Sequence, residues 1–400
     1  MRVVVIMNTP LGHIGGATIH TLSVLSNLGE CQIYLVMPFK YQLLSEAISE
    51  LRNFNKLPSL FIVAYKDVAP SKKNLVGLIP LYLARLIKSI IAILRIYTTL
   101  SKKKHDKTLI ISSTHFPHDI LPAFLLRFLM RSQGKLIVYF HGKPMSNESI
   151  LHRASSFLCI LMLRKGIIDL AFAINKDILK ELLSLSSNRV RIALTTNGAP
   201  GRHAKCCELN DFIKREYDLV FLGGMSIPKG ALDLLKALAI IVRKRPQTKL
   251  LIIGEVPSCF IKLINKMKLQ DNVEIVGPTY GPLKFRLLSN SKILVFPSYK
   301  ETWGITILEA ILSGCLVIAY DLKVYREIFN GSLLTVPVGQ YKELASIILR
   351  ILTYVDKQKI DELAKLLEMM KERCVKLMER YAWEKVASYE LKRIKELFHR

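Results

Sequence analysis

Short runs of β-branched and aliphatic residues alternate with longer amphipathic stretches along the whole 400-residue chain. A buried parallel strand reads as a nearly continuous apolar run, and the helix that follows it as a 3.6-residue period. The pattern therefore predicts β-α-β units. In the first half the expected strands are Arg2–Met7, Gln32–Met37, Leu60–Ala64, Thr108–Ser112, Leu136–Phe140, Leu170–Ile174 and Val190–Thr195. The alternation lapses after Asn197-Gly198, and residues 199–216, with Pro200, Gly201 and several charges, form the expected domain boundary. It resumes with Asp218–Leu222, Lys249–Ile253, Val273–Val276, Ile293–Phe296, Leu316–Ala319 and Leu334–Val336. From about Glu343 the chain reads as mainly helical, and Trp383 to Phe398 is expected to lie back across the first domain. The expectation is an α/β protein of two doubly wound domains, residues 1–200 and 217–380, with residues 381–400 as a returning helix. The length fits it, being too great for one ordinary core.

Charge bears on partners and not on fold. The formal charge is +26, from 58 Lys and Arg against 32 Asp and Glu. Residues 1–200 carry 25 basic and 10 acidic side chains, a formal +15, so the first half is short of acid. The basic residues are dispersed along helices with no nucleic-acid motif beside them, so no specific nucleic-acid partner is expected. The seven cysteines show no C-x-x-C pair and no zinc spacing, which suggests reduced thiols in a cytoplasmic protein. Val3–Met7 is too short for a signal-peptide core, and Arg85, Lys88 and Arg95 interrupt the longest apolar stretch, so membrane association is expected to be peripheral.

In doubly wound sheets ligands bind beyond the carboxyl ends of the strands. The loop after the first strand, Asn8 to Ala17, carries Gly15-Gly16 before a helix, which suits either an anion at the helix N-terminus or a plain tight turn. The loop after Leu219–Leu222 runs from Gly223-Gly224 to Pro228-Lys229-Gly230, where Lys229 is either a phosphate partner or a solvated lysine. The most specific block is Phe296-Pro297-Ser298-Tyr299-Lys300-Glu301-Thr302-Trp303-Gly304, followed by a helix bearing Ile305, Thr306 and Glu309-Ala310 and then Ser313-Gly314. Glu301 falls in the loop, so it can meet a sugar while Glu309 points elsewhere. The amides of Ile305 and Thr306 would then face a diphosphate.

This block, with Lys229-Gly230, Ile253-Gly254, Val276-Gly277, Arg326-Glu327, Gly15-Gly16-Ala17, His141-Gly142 and Asn197-Gly198, resembles the retaining glycosyltransferases of the GT-B fold, family 4 in particular. The likeness spans nearly the whole chain, and the C-terminal block is its specific part. It implies two Rossmann-like domains facing a central cleft, a nucleoside diphosphate sugar as donor, no cofactor, and no obligatory metal, in keeping with the absence of a D-x-D motif. It places Glu301 on the transferred sugar, Glu309 on the ribose, Lys229 with the Ile305 and Thr306 amides after Gly304 on the diphosphate, and Gly16 opposite them. His141 would touch a donor-sugar hydroxyl or the acceptor side. Where the family usually has an arginine this chain has Gly224, which leaves a catalytically silent binding or scaffolding subunit as the rival reading.

The acceptor is expected to be lipid-linked or a growing surface glycan, reached at an anionic membrane on its inner face. In Leu75 to Leu100, Arg85, Lys88, Ala92, Arg95 and Thr99 recur at helical spacing, and Leu86, Ile87, Ile90, Ile91, Ile93, Leu94 and Ile96 fill the rest of the arc. The apolar arc suits either packing on the first sheet or a membrane interface. Lys72 and Lys73 before it, Lys102 to Lys104 after it and the +15 of this half favour the membrane.

Overall fold

The computed structural model describes residues 2–8, 15–28, 31–39, 59–66, 75–102, 107–144, 150–200, 208–357 and 359–398. It divides into two compact units: Met1–Asn197 together with Trp383–Arg400, and Gly198–Ala382. Lys72, Lys73, Lys103 and Lys104, and most of the loop after the first strand, lie outside the described residues.

The first unit holds a parallel sheet of β1 (Arg2–Ile6), β2 (Gln32–Phe39), β3 (Ser59–Lys66), β4 (Thr108–Ser112), β5 (Gly134–Phe140), β6 (Leu170–Ala173) and β7 (Arg191–Leu194), in the order β3-β2-β1-β4-β5-β6-β7. The second holds β8 (Tyr217–Leu222), β9 (Leu250–Ile253), β10 (Val273–Ile275), β11 (Ser291–Phe296), β12 (Leu316–Tyr320) and β13 (Leu334–Val336), in the order β10-β9-β8-β11-β12-β13, again all parallel. Every strand expected from the apolar runs forms, with ends moved by two residues or fewer. Some extensions are polar for a reason. β11 gains Ser291 and Lys292 because the buried Lys292 ammonium finds Asp218 Oδ1 at 2.9 Å and the Arg215 carbonyl at 2.9 Å. The order of strands reverses between β1 and β4 in one sheet and between β8 and β11 in the other, and those two switch points are where such sheets take ligands.

The chain's last helix, Trp383–Lys395, belongs to the first unit, where Ile394 and Leu397 join the core formed by Val3, Val5, Ile33, Leu109, Ile137 and Phe172. The helix Leu75–Leu100 packs on Pro117–Met130 and is held at its C-terminal end by Arg2, whose guanidinium donates to the Leu100 carbonyl at 2.8 Å. Its sidedness corrects the expectation of one polar arc. Arg85 and Ala92 are buried, along with Ser89, Ile93, Ile96 and Leu100, while Leu83, Ile87, Ile91 and Leu94 face outward. Among the described residues no helix is long and apolar enough to cross a membrane.

Candidate functional site

The β8 and β11 loops meet at the switch point of the second sheet. After β8 the chain turns through Gly223, Gly224 and Met225 to Lys229-Gly230, the start of the helix Ala231–Lys244. After β11 it runs through Pro297 to Gly304, the start of the helix Ile305–Leu312. Lys229 Nζ donates to Glu301 Oε1 at 2.5 Å, and Ser298 Oγ donates to the same oxygen at 3.0 Å. The lysine side chain is 39% exposed and the glutamate 12%, so the pair sits at an opening and not in the core.

Several contacts hold the two loops together. The Tyr299 amide donates to the Pro228 carbonyl at 2.9 Å. The hydroxyls of Tyr299 and Tyr320 both donate to Asp233 Oδ2, at 2.5 and 2.6 Å, and this pushes the Tyr299 phenol up through the bond it makes to the carboxylate. Trp303, buried against Phe329 and Tyr381, anchors the far end. At Gly230 the approach is closest: φ is +71°, and an added Cβ would lie 1.9 Å from the Pro297 carbonyl oxygen. Gly230→Ala is therefore expected to cost about 2 kcal/mol from backbone strain and loop displacement. A thermal melt indistinguishable from wild type would show that the loops do not need this contact.

Gly304 adopts φ +104° and lets the chain enter its helix beneath Tyr325 and Phe329, whose rings stand 3.2 and 3.3 Å from where a Cβ would be. The first turn leaves the amides of Ile305 and Thr306 without intrahelical partners. Burial and the nearby Glu301 hold the Tyr325 phenol well above its ordinary range, so it stays protonated. Glu309 lies further along the same helix and is only 4% exposed, which rules out an ordinary surface residue. Its Oε1 accepts from Lys284 Nζ at 2.7 Å in a buried ion pair. The sequence reading missed Lys284, which shares the helix Gly281–Ser289 with Arg286 and reads there as one more surface charge.

The remaining candidates lie in the first unit. Gly16 is exposed at the start of the helix Gly16–Leu25, and His20, one turn on, has its ring 5.4 Å from that of His141. His141 follows β5. Burial, with His20 and His115 nearby, holds it well below the usual histidine range, so it is neutral near pH 7. Its Nε2 is buried with no hydrogen-bond partner among the described residues. Behind it Glu390 of the last helix is fully buried, accepting from Tyr139 OH at 2.5 Å and from Thr195 Oγ1, and meeting His20 Nε2 at 2.9 Å, while His20 Nδ1 meets Asn197 Oδ1 at 2.9 Å. Neither Glu390 nor His20 carries any motif that the sequence reading could use.

Residues 210–368, which hold both loops and both glutamates, match the family model of glycosyl transferases group 1. An uncharacterized glycosyltransferase of Methanocaldococcus jannaschii is 27% identical over 223 residues, which are 51% of this chain and 53% of that protein. The match thus spans about half the length of that curated relative. Among solved structures, HepE of Anabaena in complex with UDP and glucose superposes with a TM-score of 0.72 at 14% identity, covering 99% of this chain and 100% of that one. The sucrose-phosphate synthase of Thermosynechococcus elongatus superposes with a TM-score of 0.72 at 17% identity, covering 100% and 99%. Likenesses at these identities speak to the fold alone, and that fold is GT-B.

Proposed function

We propose that this chain is a glycosyltransferase that moves a sugar from a nucleoside diphosphate sugar to an acceptor, with retention of anomeric configuration and without an obligatory metal. The observation that carries the reading is the Lys229–Glu301 contact at the β8/β11 switch point, inside the stretch that matches the glycosyl transferases group 1 model. The relatives named above lend support in kind, since one carries UDP and glucose.

On this reading Glu301 accepts hydrogen bonds from hydroxyls of the transferred sugar. Lys229 and the Ile305 and Thr306 amides neutralise the charge that builds on the departing diphosphate, the term that dominates such reactions. Donor binding then draws Lys229 from the carboxylate towards phosphate, and Ser298 keeps Glu301 in place. Glu309 is assigned to the ribose, with Lys284 fixing the carboxylate, and Gly304 to the close backbone approach. In the first unit Gly16 is assigned to the diphosphate and neutral His141 to a sugar hydroxyl or the acceptor side. No separate base is assigned; the diphosphate oxygen itself takes up the acceptor proton. The acceptor is a lipid-linked or growing surface glycan, and the site of action is the cytoplasm.

The silent-subunit reading draws on one observation, the glycine at 224. A screen of nucleoside diphosphate sugars by thermal shift, followed by product analysis, separates the two. Bound donor raises the melting temperature by mass action in either case, but only an enzyme releases nucleoside diphosphate with the acceptor glycosylated. Proton NMR of the product then reads its anomeric configuration. An added Cβ at Gly224 meets nothing nearer than the Glu255 carbonyl at 3.9 Å, so the position has room for a side chain. Gly224→Arg is expected to tighten nucleoside diphosphate binding about tenfold through one charge-assisted contact. Unchanged affinity in a folded variant, measured by calorimetry, would place the diphosphate elsewhere.

A further inference from the structure

The helix Leu75–Leu100 is apolar on two sides. One side, Ser89, Ala92, Ile93, Ile96 and Leu100, is buried in the first unit. Opposite it stand Leu83, Ile87, Ile91 and Leu94, spaced four, four and three residues apart and 53%, 57%, 45% and 44% exposed. These spacings keep all four within about 40° of one line along the helix. A surface helix ordinarily turns polar residues outward, and a contiguous outward apolar stripe marks a surface that something covers.

The charges beside the stripe say what. Lys88, Arg95 and Lys102 follow one another at intervals of seven, so they run along a single edge of it, and the helix contains no Asp or Glu. Arg95 and Lys102 are exposed. The half of the chain that carries the helix has a formal +15. A protein partner would match an apolar stripe with its own side chains, whereas acyl chains beneath a negative headgroup layer match both an apolar stripe and a basic edge. The buried side removes the alternative that the whole apolar arc serves the core.

We infer that the Leu83–Ile87–Ile91–Leu94 face of this helix docks on an anionic lipid bilayer, lying in the plane of the interface with Lys88, Arg95 and Lys102 at the headgroups. The inference rests on the first unit alone and goes beyond the donor assignment. The full-length chain is expected to sediment with mixed phosphatidylglycerol and phosphatidylcholine vesicles and not with phosphatidylcholine vesicles. Ile87→Glu with Ile91→Glu is expected to lower the vesicle-bound fraction about tenfold, and Arg95→Glu with Lys102→Glu to lower it and flatten its salt dependence. All four substitutions are at outward positions, and the thermal shift produced by a nucleoside diphosphate is expected to persist in both variants, which keeps this test separate from that of the donor site. If the first variant fails to fold, the second decides. Equal indifference of the wild type to both vesicle types overturns the inference, as does binding by the variants at the wild-type level. So does a dimer in light scattering that Ile87→Glu with Ile91→Glu splits while vesicles bind nothing, since the face would then belong to a second copy of the chain.

Discussion

Glu301→Ala is expected to reduce sugar transfer by about a thousandfold while the protein melts within about 1 kcal/mol of wild type. The asymmetry follows from where the carboxylate sits. Its ion pair with Lys229 is at an opening, with the lysine more than a third exposed, so water replaces the lost partner at little cost. Ser298 is fully buried, but its hydroxyl keeps the Pro228 and Lys300 carbonyls as acceptors, at 3.3 and 3.2 Å. On the proposed assignment the transferred sugar has no such substitute: in a site from which substrate has displaced water, the lost acceptor oxygens would leave sugar hydroxyls unpaired beside the centre where charge develops. Donor turnover by chromatography, run beside a thermal melt, reads both numbers. A folded variant that turns over at the wild-type rate removes Glu301 from the reaction.

Glu390→Ala is expected to act in the opposite way, on stability first. The side chain is fully buried and holds Tyr139, Thr195 and His20. Burial and the facing Glu390 carboxylate keep the Tyr139 phenol well above its ordinary range, so it remains a donor at any physiological pH. Alanine strands these three groups in the dry interior and opens a cavity, at a cost of about 3–5 kcal/mol. For a unit of this size that lowers the melting temperature by about 10 °C. Calorimetry measures it, and a shift of less than a degree or two would mean that the surrounding groups find other partners. Glu390→Gln keeps the volume and one acceptor, and is expected to recover part of the loss.

What the sequence disclosed and what it hid divide along one physical line. Strands such as Thr108–Ser112 and Leu316–Tyr320 announced themselves because burial on both faces leaves an apolar run that no loop imitates. The loop glutamate was legible too, because Pro297, Gly304 and Gly314 punctuate the chain around it. Hidden instead were the partners of buried charges. Lys284 lies 25 residues from Glu309, and Tyr139 lies 251 from Glu390, separations over which no local pattern survives. The same blindness affected Leu75–Leu100. Its residues were assigned to a helix by periodicity, but which arc turns inward depends on what the helix packs against, and the buried Arg85 belongs to the inward one.

The last helix also sets an order of events during synthesis. Residues 383–398 complete the core of a unit whose sheet was made some two hundred residues earlier. While the ribosome is still translating, β1 to β7 are all present, yet Glu390, Ile394 and Leu397 are not, and His20, Tyr139 and Thr195 have no acid to bind. The second unit, Gly198–Ala382, is continuous in sequence and is wholly synthesised before Trp383. The half made second is thus the first whose residues are all present, and the half made first waits for residues 383–398. Premature termination just after Ala382 would leave a whole second unit tethered to an unfinished first one, a product that quality-control proteases are equipped to find.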